Sequence, residues 1–294
     1  MNSGVETLLT STDVYTKKLA HNTMSVNFKR EVFFKNTWND LNIKARGLFV
    51  RENSFEIVAR SYEKFSYMPP NIDELVKPET EIRTFLKENG FLGILCYDKQ
   101  IKAFRYFSKS TEESEYALMF RRILEPYVLA KPEAFREVLD GYTMVFEVID
   151  PVNDPHIIEY SCEKVVLLDI IKNSYEFSKL KFKEMAKIAK SLNLPNKVEW
   201  VLCSSSVKGK VEIAEKINLI EGFVFELETD NKVFMFKVKT DYYNFWKAVR
   251  TARDRLLKDK PLKGDLVKEL FDKMNLSKEE INCSVIELRR KLNV

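Results

Sequence analysis

The sequence predicts an α+β fold: antiparallel sheets with flanking helices, followed by a small all-α C-terminal domain. Three observations lead there. Between Met24 and Ala59, short apolar runs (Val26-Asn27-Phe28, Val32-Phe33-Phe34, Gly47-Leu48-Phe49-Val50 and Phe55-Glu56-Ile57-Val58-Ala59) alternate with polar breaks, as antiparallel strand pairs do. Strand-like runs recur as far as Val238. After Asp241 they stop, and helical periodicity replaces them. We therefore expect a first domain over residues 1–240 and a helical one over residues 241–294. With 294 residues, 45% of them apolar and only 8 Gly and 9 Pro, the chain can build a substantial ordered core with room for a groove.

Beyond the first strands, Met68-Pro69-Pro70-Asn71 closes the β-rich block, and Ile72 to Leu86 carries a short helix leading into a strand. Phe85-Leu86 and Phe91 to Cys96 flank Asn89-Gly90, giving strand, turn, strand. A two-residue hairpin turn satisfies Asn-Gly by itself, because both residues tolerate positive φ. Thr111 to Leu124 reads as a helix capped by Thr111, with Glu112 and Glu113 at the positive end of its dipole. Thr143 to Ile149 is an apolar strand interrupted by one carboxylate, Glu147, and Val165 to Ile171 is another buried strand. Tyr175 to Leu192 has an apolar stripe opposite lysines, most simply a surface helix with a solvated face. Strands Gly222 to Glu226 and Lys232 to Val238 follow, joined by Asp230-Asn231. Helices are then expected at Tyr243 to Lys258, Lys263 to Met274 and from Leu276 onward, the last opened by a capping box of Ser277 and Glu280.

Bulk properties exclude several function classes. A net charge of +4, from 48 basic and 44 acidic residues, does not by itself imply nucleic acid. Cys96, Cys162, Cys203 and Cys283 are scattered and form no C-x-x-C pair, which argues against a zinc ribbon or disulfide framework. The N-terminus lacks a basic stretch followed by an apolar one, and no run approaches the ~18 apolar residues of a membrane span. The expectation is a soluble intracellular, cytoplasmic protein with no membrane partner. His21 and His156 stand beside no nucleophile or metal-ligand partner and read as surface or structural residues.

Five lysine- and glutamate-centred clusters follow one another: Lys87-Glu88-Asn89-Gly90, Ser108-Lys109-Ser110, Phe146-Glu147, Glu221-Gly222-Phe223-Val224 and Lys237-Val238-Lys239. Together they describe a pocket in which a lysine nucleophile, phosphate-binding cations and two carboxylates surround a nucleoside triphosphate. A lysine that attacks the α-phosphorus of ATP must lose a proton near neutral pH, although its ordinary pKa is about 10.4. Neighbouring cations, burial or metal charge favour that loss. Lys237 and Lys239 alternate on a strand, so both ammonium groups face one side while Val238 enters the core. If that side faces Lys87, they assist its deprotonation and neutralise phosphate charge in the transition state. A solvent-facing strand with two lysines fits the same pattern. Glu147 is costly in an apolar strand without a partner. Ribose hydroxyls or a hydrated divalent cation would suit it, and a strand-edge position at the surface is the alternative. Glu221 could share metal or phosphate-water contacts, and Val224 could offer an apolar face to a base.

With Ala45-Arg46-Gly47-Leu48-Phe49-Val50 and Ala59-Arg60-Ser61-Tyr62-Glu63-Lys64-Phe65 upstream, the ordered set resembles the ATP-dependent RNA ligases of the covalent nucleotidyltransferase superfamily. Within that superfamily it resembles specifically the phage RNA ligase 1 group and the ligase domain of fungal tRNA ligases. The resemblance runs from about Leu41 to Trp246. It implies an ATP-grasp-like nucleotidyltransferase (adenylyltransferase) domain over residues 1–240. It also implies Lys87 as the nucleophile that becomes lysyl-AMP, within a motif including Asn89 and Gly90. Arg46, Lys64 and Lys109 would hold the triphosphate, Glu147 would bind the ribose, and Leu168 would face adenine opposite Val224. Glu221 would assist the metal-bound reaction, and Lys237 and Lys239 would contact the α-phosphate. Glu147 and Glu221 are the implied metal residues, for Mg2+ with Mn2+ as a substitute. Asn89 replaces the aspartate of many ligases, a departure familiar in the tRNA-ligase branch. The implied activity joins RNA 5′-phosphate and 3′-hydroxyl ends through lysyl-AMP and RNA-adenylate, in RNA or tRNA repair. The partners are RNA ends, cleaved tRNA among them, with any end-healing kinase or phosphatase supplied by another protein. Two other readings stand beside it. A DNA ligase or mRNA-capping guanylyltransferase usually carries an OB-fold after the last lysine motif, where this tail reads helical. A non-catalytic RNA-binding protein on the same fold is the other.

Overall fold

The computed structural model describes residues 3–65, 68–77, 80–228, 233–262, 264, 268–269, 271, 273 and 277–291. The expected turn at Asp230-Asn231 and most of the expected helix at residues 263–274 lie outside them. In chain order the strands are β1 Val14–Leu19, β2 Thr23–Phe28, β3 Leu48–Arg51, β4 Ile57–Arg60, β5 Glu81–Lys87, β6 Phe91–Asp98, β7 Ala103–Phe107, β8 Tyr142–Ile149, β9 Lys164–Lys172, β10 Gly222–Glu228 and β11 Val233–Lys239. The helices are α1 Ser3–Leu9, α2 Arg30–Lys35, α3 Ile72–Leu75, α4 Glu115–Ala130, α5 Pro132–Val138, α6 Phe182–Ser191, α7 Val207–Glu215, α8 Asp241–Leu256, α9 Lys278–Ile281 and α10 Val285–Lys291. The α+β class and the antiparallel sheets are those the sequence predicts. Among the described residues no strand follows β11, and no helix is long and apolar enough to cross a membrane.

The chain divides into two compact units, each assembled from separate stretches of sequence. The first comprises residues 1–66, 90–149 and 163–197. It holds two four-stranded sheets, ordered β1-β2-β3-β4 and β7-β6-β8-β9. One face of the second sheet packs Leu95, Met144, Phe146 and Leu167 against Phe120, Leu124, Phe135 and Met185 of the helices. Its other face presents Ile94, Cys96 and Phe107 to Phe49 and Ala59 of the first sheet. This two-sided burial explains the near-continuous apolar runs of β6 and β8.

The second unit comprises residues 67–89, 150–162 and 198–294. Its three-stranded sheet has the order β11-β10-β5. Phe223, Phe225, Leu227, Phe236 and Val238 form one face and pack on Val207, Val211 and Ala214 of α7. A second cluster joins Ile157 and Ile158 to Tyr243, Trp246 and Val249 of α8 and to Ile281, Val285 and Leu288. The Ser277–Glu280 capping box forms with both reciprocal bonds, at 3.3 and 2.8 Å. The change from strand to helix falls between Lys239 and Asp241, while α8 is grouped with β5, β10 and β11 in one unit.

Several local expectations are corrected. Val32-Phe33-Phe34 lies in helix α2, which buries Val32 and ends at Asn36 in a left-handed conformation (φ 54°). The 3.6-residue period turns only one of those three apolar residues inward. Helix α4 is capped by Ser114, whose hydroxyl accepts from the Ala117 N–H at 3.2 Å. Thr111 instead accepts from the Ser108 N–H at 2.8 Å, closing a turn around Lys109. The helix expected from Tyr175 begins only at Phe182, because residues 178–180 pair with the edge of β9. Lys179 is accordingly not solvated. It lies 3.0 Å from the buried Asp169, which also holds Lys197 at 3.0 Å and Tyr62. The hairpin alternative at Asn89-Gly90 fails, since β5 pairs with β10 while β6 pairs with β7 and β8. The turn carries the chain from one sheet to another.

Candidate active site

In the second unit, sheet register sets the lysines. Gly222 is paired across β10 with both Lys87 of β5 and Lys239 of β11, and Val224 is paired with Lys237. Opposed residues of an antiparallel pair share a face, so Lys87, Lys237, Lys239 and Val224 lie on the face opposite the Phe223–Phe225 core. Gly222 has φ 151°, and a Cβ there would lie 2.0 Å from the Val238 carbonyl oxygen. Only glycine permits this approach of the three strands.

Glu221 enters from just before β10 and is buried. Its Oε2 lies 3.0 Å from Lys87 Nζ and accepts from Asn89 Nδ2 at 2.8 Å, while its Oε1 lies 2.9 Å from Lys239 Nζ. Burial pushes the Glu221 carboxyl up, but the two ammonium groups outweigh it and hold the group below its ordinary value. Asn89 has a double role, because its Oδ1 accepts from the Ile158 N–H at 3.2 Å. An aspartate here would set a second carboxylate against Glu221 and offer it no donor. This gives the asparagine a physical reason in this chain.

Two groups in this cluster escape sequence reasoning. The Tyr160 hydroxyl accepts from the Asn89 N–H and donates to Glu88, both at 2.8 Å, clamping the turn that follows Lys87. Tyr160 lies some seventy positions from its partners, and no local pattern marks it. Lys247 of α8 is lowered by partial burial and by the charges of Lys239 and Arg250. In sequence it is the single lysine of an amphipathic helix whose other cations are Arg250, Arg253 and Arg255. Two arginines of the same helix are engaged by backbone carbonyls: Arg253 donates to Cys283 and Arg255 to Pro261.

In the first unit, three cations converge. Lys64 donates its backbone N–H to Ile43 at 2.9 Å, Ser61 donates to Gly47 at 2.7 Å, and Arg46 reaches the Tyr62 carbonyl at 3.5 Å. These bonds bring the Arg46 and Lys64 segments side by side. Lys64 and Lys109 are both lowered, first by burial and then by the charge of Arg46. Arg46 is lowered by burial, against the attraction of Glu147. None of the three makes an ion pair among the described residues; Lys64 lies 4.9 Å over the Trp38 ring and Lys109 4.8 Å over Phe28. Desolvated, mutually repelling cations are costly unless an anion joins them, so the arrangement suits a polyphosphate.

Glu147 of β8 is half-buried and paired in register with Leu92 and Val166. It accepts from the Gly90 N–H at 2.9 Å. A Cβ on Gly90 would lie 2.0 Å from the Val148 carbonyl oxygen, so the site requires glycine. Leu168 is the extra residue of a β-bulge in β9, where pairing steps from Val145–Asp169 to Phe146–Leu167. Bulges re-aim side chains, and they are frequent beside active sites. The structure thus gathers Lys87, Asn89, Glu221, Val224, Lys237 and Lys239 in one unit, and Arg46, Lys64, Gly90, Lys109, Glu147 and Leu168 in the other.

A family model described as RNA ligase matches residues 44–243, which span both sets. The chain belongs to the RNA ligase family. No curated protein matches it in sequence. Among solved structures this RNA ligase family member is similar to an archaeal ATP-dependent RNA ligase, with a TM-score of 0.60 and 11% identity over 99% of this chain and 74% of that one. It is also similar to a putative ATP-dependent DNA ligase from Aquifex aeolicus, with a TM-score of 0.59 and 17% identity over 100% of this chain and 76% of that one. A Naegleria gruberi RNA ligase with pyrophosphate gives a TM-score of 0.50 at 15% identity, over 66% of this chain and 58% of that one. At these identities the likeness shows a shared ligase nucleotidyltransferase fold.

Proposed function

We propose that the protein is an ATP-dependent RNA ligase that joins an RNA 5′-phosphate to a 3′-hydroxyl through lysyl-AMP and RNA-adenylate. The observation that carries the reading is the Lys87–Glu221–Lys239 cluster in a chain of the RNA ligase family. Lys87 Nζ, as the free amine, attacks the α-phosphorus of ATP, the bond to the leaving pyrophosphate breaks, and the proton lost from the nitrogen passes to solvent. AMP then passes to the RNA 5′-phosphate, and the terminal hydroxyl of a second end displaces AMP. Catalysis rests on positioning and charge neutralisation.

The roles proposed for the individual residues are those the resemblance implies, and the surroundings of several support them. Glu221 is held below its ordinary pKa and is therefore a weak base; it aims the Lys87 amine and does not take its proton. Lys237 and Lys239 share the face of Lys87 and neutralise the α-phosphate. Arg46, Lys64 and Lys109 receive the β- and γ-phosphates, the anion their desolvated charges lack. Glu147 takes the ribose hydroxyls, while Leu168 and Val224 offer apolar surface to adenine. Among the described residues no three His, Cys, Asp or Glu side chains cluster. A metal held by one or two carboxylates and substrate phosphates fits that donor set, which suits Mg2+, with Mn2+ as a substitute. Glu221 and Glu147, each within its own unit, are the carboxylates proposed for it, and it would supply positive charge to the phosphate oxygens.

The test incubates the protein with α-labelled ATP and Mg2+, denatures it, and looks for label on the chain, with a parallel GTP reaction. Label from ATP that is absent in Lys87→Ala supports the reading. Label from GTP alone would favour capping chemistry, and no label would leave a non-catalytic RNA-binding protein. Defined RNA ends, cleaved tRNA halves among them, then identify the substrate, with and without an added end-healing kinase or phosphatase.

A further inference from the structure

Helix α2 leaves an unusual surface in the first unit. Its short turn buries Val32 and puts Phe33 and Phe34 outward, 55% and 71% exposed. Phe33 meets Phe34 and Trp38 edge to face, with ring centroids 5.8 and 6.4 Å apart, and Trp38 meets Phe28 at 4.9 Å. Cations interleave these rings. Arg30 lies 5.6 Å over Phe34, Lys64 4.9 Å over Trp38 and Lys109 4.8 Å over Phe28. Lys29 and Lys35 are exposed on the same short segment. Exposed aromatic surface of this kind is uncommon without a partner.

We infer that Phe33, Phe34 and Trp38 form a stacking platform for a single-stranded RNA end, with Arg30, Lys29 and Lys35 tracking its phosphates. Single-strand binding sites combine these two elements: rings that receive successive bases, and cations that follow the backbone. A protein partner fits less well, because lysine is depleted where protein interfaces bury aromatic residues. Here Lys64 and Lys109 sit directly on the ring faces. They are also two of the three cations assigned to the triphosphate, so the platform leads from exposed rings to phosphate-binding groups. The inference rests on the ligase reading for the choice of RNA.

The test measures binding of a short single-stranded RNA and its salt dependence for the wild type and for a Phe33→Ser, Phe34→Ser double variant. Both rings are exposed, so the fold tolerates the change, and thermal melting checks that it does. With each stacked base lost costing about tenfold in affinity, the double variant binds at least tenfold more weakly. Duplex RNA, whose bases are not free to stack, is affected little. Arg30→Ala lowers the salt slope by about one phosphate contact. Label transfer from ATP to the protein reports Lys87 chemistry separately. If label forms but RNA affinity is unchanged in the double variant, the platform is wrong and the ligase reading stands, including where the variant alters self-association. If affinity falls but no label forms in the wild type, the platform stands and the ligase reading fails.

Discussion

Arg46, Lys64 and Lys109 in the first unit make no ion pair among the described residues, whereas Lys87 and Lys239 in the second share one carboxylate, Glu221. The first set is a cation cluster with the Glu147 charge near Arg46 but no ion pair among the described residues. It is pulled toward neutrality by burial and by its own repulsion. The second carries its counterion with it, and the two ammonium groups hold the Glu221 carboxyl below its ordinary value. Unpaired cations suit a polyanion that arrives and leaves. A lysine paired with a buried carboxylate is held in one orientation, which suits the nucleophile proposed for Lys87.

Substitutions should separate the two regions. The largest effect is expected in the second, where Glu221→Gln frees Lys87 and Lys239 together, and lysyl-AMP formation should slow by about 10²–10³-fold, the usual cost of losing a preorganised electrostatic partner. The ATP concentration for half-maximal rate should change little. Because the Glu221 pKa is depressed, its ion pairs contribute stability that is complete above the ordinary carboxylate range and lost as pH falls through the lowered value. Acid melting curves of wild type and Glu221→Gln should therefore converge at low pH. A rate loss confined to ATP affinity would break the comparison.

A smaller effect, of the opposite kind, belongs to the first region. Lys64→Met or Lys109→Met should raise the ATP requirement about 10-fold or more, the cost of a charged hydrogen bond, with less change in maximal rate. The pH dependence has a definite sign. A bound triphosphate favours the charged form of two lysines whose pKa values are lowered, so in the pH range where they titrate binding takes up protons. Tripolyphosphate affinity should fall as pH rises through values below that of an ordinary lysine, 10.5. Calorimetry in buffers of different ionisation enthalpy would detect the uptake.

The smallest effect tests the clamp behind the nucleophile. Tyr160→Phe keeps the ring and removes a hydroxyl that holds Asn89 and Glu88. One or two hydrogen bonds of about 1 kcal/mol each predict a several-fold slower lysyl-AMP formation. Binding of tripolyphosphate should be unaffected. An equal loss in both would mean a general structural defect.

Much of this was legible in the sequence, and the failures have physical causes. Ordered clusters marked the candidate site because lysines and carboxylates in apolar strands are costly without a partner, and alternation alone placed Lys237 and Lys239 on one side of β11. The class and antiparallel sheets followed from periodicity. Val32-Phe33-Phe34 misled because three apolar residues fit either a strand or one turn of helix. Thr111 and Ser114 are equally good caps, and the choice fell to a turn that closes around Lys109. Lys179 looked solvated because its partner, Asp169, reaches it only through strand-edge pairing. Tyr160 carried no signal, since its function consists of bonds to Glu88 and Asn89, made by tertiary folding.

The central claim is that Lys87 forms the covalent adduct, and the direct measurement is mass spectrometry of peptides after incubation with ATP and Mg2+. The account predicts an AMP adduct on Lys87, absent in Lys87→Ala and discharged when pyrophosphate is added. An adduct on Lys237, Lys239 or any other residue, or one that persists in Lys87→Ala, would contradict it.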